Sequence, residues 1–239
     1  MLAKYPVTKE WEITDDFKRS PVERMLEFRL VYQGVLYGAD RDDPRSEHKH
    51  HIRRYLHKQL VKLWQTKYPL KGYTERFVPP PISPGTFVTG QQVTSEPAIK
   101  GISTQYQMGG KSFLPIVSKA WFLTCALDIL ILRRDHFPVI NSGDLDNRIK
   151  TLLDALRIPL VGEYCEGDEE PLYCLLEDDK LVAELKVTAD LLLPQPEQVI
   201  ENPRITLSGE YSASVNHALA LIHVMVKPTK MTMGNIDFA

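Results

Sequence analysis

Several things are scarce in this chain of 239 residues, and each absence narrows the field. Cysteine is used three times, at Cys125, Cys165 and Cys174, with no Cys-x-x-Cys and no paired spacing. That excludes a disulfide scaffold and a cysteine-built zinc site, and with no secretory apolar stretch at its start it predicts reduced thiols in a cytoplasmic protein. No apolar run reaches the length of a membrane span, so no membrane partner is expected. An excess of positive charge is missing too: the formal net charge is −2 and the isoelectric point about 6.4. A small DNA-binding protein is usually more basic, although net charge says little about where charges sit. No internal repeat is evident, and 43% apolar residues are enough for a real core in one large domain or two small ones.

The most informative stretch is Gly143-Asp144-Leu145-Asp146-Asn147-Arg148-Ile149-Lys150, running on to Leu156. Ile149, Leu152, Leu153 and Leu156 recur at helical spacing, with Asp146 or Asn147 where an N-cap belongs. Asp146, Lys150 and Asp154 then follow at i, i+4, which sets the lysine beside the carboxylates and away from the apolar stripe. Such a pattern is often no more than a cap and a solvated ion ladder. A second acidic pair, Asp178-Asp179, heads another apolar run downstream. Clustered carboxylates repel, and a raised pKa or a bound cation relieves them. Oxygen donors from several Asp residues suit a hard cation, Mg²⁺ before Zn²⁺, with Mn²⁺ as a substitute.

Elsewhere, Leu26 to Gln33 alternates as a half-buried strand, and 47–67 reads as a helix with Ile52, Tyr55, Leu56, Leu60, Leu63 and Trp64 on its apolar face. The rest of that helix carries His50, His51, Arg54, His57, Lys58 and Lys62, and no acid after Glu47. It is either a phosphate-tracking face or an ordinary solvated one. The three histidines lack a convincing zinc ligand set. Gly38 to Pro44 reads as an acidic turn, with a solvated loop preferred over a metal approach. Residues 69–110 hold six Pro and six Gly, the density of irregular chain. Phe113–Val117 and Trp121–Leu132 are expected as neighbouring strands, the second central in its sheet, with Asp128 inside it as a buried carboxylate or a metal-site neighbour. Arg133 and Arg134 follow and, with Arg148, Arg54, Lys58 and Lys62, are the candidate DNA contacts, since guanidinium forks suit phosphate oxygens. Residues 163–177 carry six acids and no base. Leu181–Leu191 alternates as a strand, 192–215 is irregular, and Ala218–Val226 closes the chain as an apolar strand.

The predicted fold class is α+β, a mixed sheet with helices packed on it. One domain is expected over 1–239, with an N-terminal extension of about 1–23 and insertions near 69–110, 158–176 and 192–215.

Asp-Leu-Asp-Asn-x-x-Lys, an apolar helix containing Asp-Ala-Leu, and a later Asp-Asp before a strand together resemble the RusA family of Holliday-junction resolvases. The resemblance rests on about fifteen positions; the chain is much longer than the compact members, with long inserted or appended segments, and the link between the two carboxylate motifs is lengthened as well. It implies a Mg²⁺-dependent DNA endonuclease acting on branched DNA as a two-fold dimer. It assigns catalysis to Asp144, Asp146, Asp179 and Lys150, and metal binding to Asp144, Asp146 and Asp179 with Asp178 accessory. A branched-DNA-binding protein without catalysis is the alternative. Nucleotide-sugar transferases also use Asp-x-Asp with a divalent metal, but no glycine-rich phosphate turn precedes the motif.

Overall fold

A computed structural model of the protein describes residues 26–38, 45–75, 77–78, 96–97, 102–133, 144–163, 165–192, 217–232, 235 and 238. The N-terminal extension, the acidic turn at 39–44, Arg134 and most of the segments at 79–101 and 193–216 lie outside the described residues.

The chain begins with β1 (Glu27–Val35), where Phe28, Leu30 and Tyr32 point inward from alternate positions. Helix α1 (Ser46–Thr66) buries Ile52, Leu56, Leu60 and Trp64, one per turn, and ends just before Pro69. After the short α2 (Leu70–Glu75) come the two-residue strands β2 (Phe77–Val78), β3 (Glu96–Pro97) and β4 (Gln107–Met108), then β5 (Lys111–Val117) and β6 (Leu123–Arg133). Helix α3 (Asp144–Leu156) follows, then β7 (Leu172–Leu176), a 3₁₀ turn at Asp179–Leu181, β8 (Val182–Leu191) and β9 (His217–Pro228).

This is an α+β fold with two mixed sheets. The larger has the order β1-β9-β6-β8, with β6 central, antiparallel to β9 and parallel to β8. The smaller has the order β4-β5-β7, with β5 and β7 parallel. The expectation that β5 and β6 pair as neighbours is therefore corrected: they lie in different sheets. The turn Ser118–Phe122 parts them, with Leu123 N donating to Ser118 O at 3.1 Å and Phe122 in the left-handed region at φ 52°. Their partners part at the same level, between β7 and β8. Two parallel stretches of chain, β5–β6 and β7–β8, thus run side by side and change sheets together. Glu177 N, at the break, donates to Val117 O at 2.9 Å.

One contiguous core joins α1 and α3 to the inner faces of β1, β5, β6, β7 and β9. In β6 the residues Leu123, Cys125, Leu127, Ile129 and Ile131 face it; their register partners Val224 and Ile222 do so from β9. Asp128 points the other way. Its carboxylate meets Lys186 of β8 at 2.7 Å on the open face, so the buried reading of this residue is corrected. β7 is the other revision. Residues 158–176 look like an insertion because acids crowd them, yet Leu172, Cys174, Leu175 and Leu176 are buried and complete the smaller sheet. All three thiols are free; burial pushes those of Cys125 and Cys174 up to about 12.

Candidate active site

Asp178 and Asp179 stand in the break where β7 gives way to β8. The Asp178 carboxylate closes the 3₁₀ turn by accepting from Lys180 N at 3.1 Å, and it meets Lys119 Nζ, from the matching break after β5, at 2.9 Å. The Lys119 hydrogen bond, followed by that of the Lys180 amide, lowers the Asp178 carboxyl to about 2. Its neighbour moves the opposite way. Partial desolvation, then the hydrogen bond and negative charge of Asp178, raise the Asp179 carboxyl above the ordinary range. Of the pair, Asp178 is the settled anion and Asp179 the group that holds a proton longer.

Helix α3 faces this pair. It starts at Asp144, so Asp146 is not the cap but lies in the first turn, where the helix dipole favours a negative charge. Ile149, Leu152, Ala155 and Leu156 are buried, while Asp146 and Lys150 are exposed. Asp154 departs from the expected solvated ladder: it is only 7% exposed. Its oxygens meet Lys49 of α1 at 2.8 Å and Arg157 at 2.9 Å. Arg157 also holds Glu163 at 3.2 Å, and the guanidinium of Arg53 donates to the backbone oxygens of Asp154 and Arg157 at 2.8 and 3.1 Å. Burial alone would raise the Asp154 carboxyl, but Lys49 and Arg157 outweigh it and hold the group below its usual value.

Lys150, Asp154, Asp178 and Asp179 line one open cavity of about 800 Å³, together with Lys49, Lys119, Arg157, Glu163 and Lys180. The fold therefore brings the lysine of the first motif and the acids of the second to one place. Asp146 is not among the lining residues, and the side chain of Asp144 lies outside the described residues. Among the described residues no group of three or more His, Cys, Asp or Glu side chains converges as a metal cage. What is present is a pair of adjacent carboxylates, oxygen donors of the kind a hard divalent cation takes, with Asp178 already paired to Lys119.

The expected DNA contacts divide. Arg133 and Arg148 are 5% and 2% exposed, so neither guanidinium is presented to a phosphate outside, and that expectation is corrected. Arg54, Lys58 and Lys62 are exposed on α1, but Arg54 is held by Glu169 at 2.5 Å. The acidic segment after α3 lies along this helix. His50 donates to the Glu166 carbonyl, and Gly167, at φ 124°, lets the backbone approach so closely that a Cβ there would meet Glu169 and Arg54. His57 Nδ1 accepts from Tyr173 N at 3.0 Å. Two of the three histidines are thus engaged with the backbone of this covering segment.

Lys49, Lys119, Arg157 and Glu163 were not legible as site residues. Only Arg157, three places after Asp154 and just past the end of the helix, carries a sequence signal.

Comparison with known proteins adds no relative: no protein-family model, no curated protein and no solved structure matches the chain. Among the described residues no helix is long and apolar enough to cross a membrane.

Proposed function

We propose that the chain is a Mg²⁺-dependent endonuclease of branched DNA, similar to the RusA-type resolvases. The observation that carries the reading is the shared cavity. Lys150 and Asp179 lie 29 positions apart in sequence, yet line the same opening beside Lys119 and Lys180. Asp144, Asp146 and Asp179 would hold the metal, with Asp178 accessory. Bound there, Mg²⁺ would supply Lewis acidity toward a phosphoryl oxygen and a lowered pKa for a coordinated water.

The chain's own groups do the rest. Lys150 stabilises the charge that builds on the phosphoryl oxygens, and the exposed ammonium group of Lys180 draws the backbone phosphate toward the opening while Lys119 stays with Asp178. Asp179 would join the metal as a carboxylate, the cation offsetting the partial desolvation and the negative charge of Asp178 that raise its carboxyl. A four-way junction presents two equivalent strands, so a two-fold dimer is part of the proposal.

Asp146→Asn is the test. The variant should bind a synthetic four-way junction as the parent does and fail to cut it in Mg²⁺; cutting at the parent rate would refute the assignment. A second reading, binding without catalysis, draws on the lack of a three-carboxylate group among the described residues. It predicts identical DNA products, none, in Mg²⁺, Ca²⁺ and EDTA.

A further inference from the structure

The short turn that follows α3 carries apolar side chains where a turn would ordinarily be polar. Leu160 is 62% exposed and Val161 89%, the two highest values among the large hydrophobic residues of the described chain. They stand on the rim of the cavity that holds Lys150 and Asp179.

This turn is firmly mounted. Ile158 N donates to Leu176 O of β7 at 2.9 Å, which pins its start. Its tip is closed both ways: Glu163 N donates to Leu160 O at 3.0 Å, and Leu160 N donates to the Glu163 carboxylate at 3.0 Å. Gly162 supplies the positive φ of 88° that the reversal needs. The same Glu163 carboxylate is held from below by Arg157 and Lys49 at 3.2 and 3.8 Å. The buried ion cluster is the foundation of an exposed apolar tip, so little conformational freedom remains to be lost when something covers it.

We infer that Leu160 and Val161 form a wedge that seats against the face of an unstacked base next to the phosphate held in the cavity. The inference rests on the nuclease reading and names its substrate class. Lys119 is held by Asp178 and Glu177, and Lys49 by Asp154 and Glu163, which leaves Lys150 and Lys180 at the opening to meet a phosphate; the apolar surface nearest to a backbone phosphate is the face of the adjoining base. In continuous duplex that face is hidden by stacking. It is available at a branch point, or at a pyrimidine–purine step that unstacks easily. The tip thereby favours branched or kinkable DNA over uniform duplex without reading base edges.

The experiment uses the full chain and four-way junctions carrying 2-aminopurine on either side of the scissile phosphate, with Ca²⁺ in place of Mg²⁺ to keep the DNA intact. The parent should raise the fluorescence at one of these positions. The double variant Leu160→Ala/Val161→Ser should lose the rise and, in Mg²⁺, cut about tenfold or more slowly, the effect of losing the burial of an aliphatic side chain. Its thermal midpoint should match the parent's, because both side chains are exposed. A parent that cuts while the double variant cuts equally fast overturns the wedge and leaves the nuclease reading standing. So does a variant whose cutting is intact but which loses self-association or binding to anionic vesicles; the tip would then belong to a different partner. A parent that cuts no branched DNA overturns both.

Discussion

Replacing Asp154 by asparagine removes one of two anions from a cluster that also holds three cations, Lys49, Arg53 and Arg157, against Glu163. The side chains of Lys49, Asp154 and Arg157 are 10%, 10% and 7% exposed, so water can replace little of what the carboxylate supplies. Truncating one partner of a buried ion pair costs about 3–5 kcal/mol, because the remaining charge is left desolvated. Against a total stability of about 5–15 kcal/mol this is a large fraction. With a urea slope of about 1–3 kcal/mol per molar, the unfolding midpoint should fall by about 1 M or more. Loss of Lys49 in the same chain restores part of the balance, so Lys49→Met and Asp154→Asn should be non-additive by about 0.5–3 kcal/mol. A pH signature accompanies the effect. The Asp154 carboxyl is depressed in the folded state, so its stabilisation is present above the ordinary carboxylate pKa and is lost as the pH falls through the depressed one. The asparagine variant should lack that part of the acid sensitivity. A cost below about 0.5 kcal/mol, the range of a surface substitution, would refute the claim that the cluster is structural.

Two further outcomes follow from the site. Lys150→Ala should leave the unfolding free energy within about 0.5 kcal/mol of the parent, since the side chain is exposed, yet slow junction cutting by about 10²–10³, as for removal of a donor to developing charge; an unchanged rate would remove the lysine from the mechanism. In a carboxyl NMR titration Asp179 should retain its proton to higher pH than a free aspartate, with Asp178 titrating near 2, and Mg²⁺ should bring the Asp179 transition down. A titration of Asp179 that ignores Mg²⁺ would count against that carboxylate as a ligand.

The part of the fold carried by periodicity was legible. The alternation in β1, the 3.6-residue rhythm of α1 and α3, and the apolar run of β9 each reflect which side of an element meets the core, and that is a local property of the chain. β7 was hidden because its apolar residues are flanked by acids, although Leu172, Cys174 and Leu176 do alternate. The pairing of β5 with β7 rather than β6 was beyond reach: a five-residue turn serves equally for a hairpin and for a change of sheet, and only the partner strand decides. Of the candidate site, the residue types and the place of Asp178-Asp179 before a strand were readable, whereas the company they keep was not. Arg148 and Arg133 look like phosphate ligands by type, yet both point inward.

By itself, then, the sequence determined which faces are apolar, where the helices and most strands run, and that two acidic motifs lie on either side of one amphipathic helix. The tertiary structure alone decided that the parallel stretches break at one level and set Asp178-Asp179 opposite Lys150, that Asp154 turns inward to Lys49 and Arg157, and that the acidic segment covers part of the basic side of α1. The division has a physical cause. Burial patterns repeat along the chain and can be counted, whereas the partner of a charge is whichever group the packing of distant segments brings within about 4 Å.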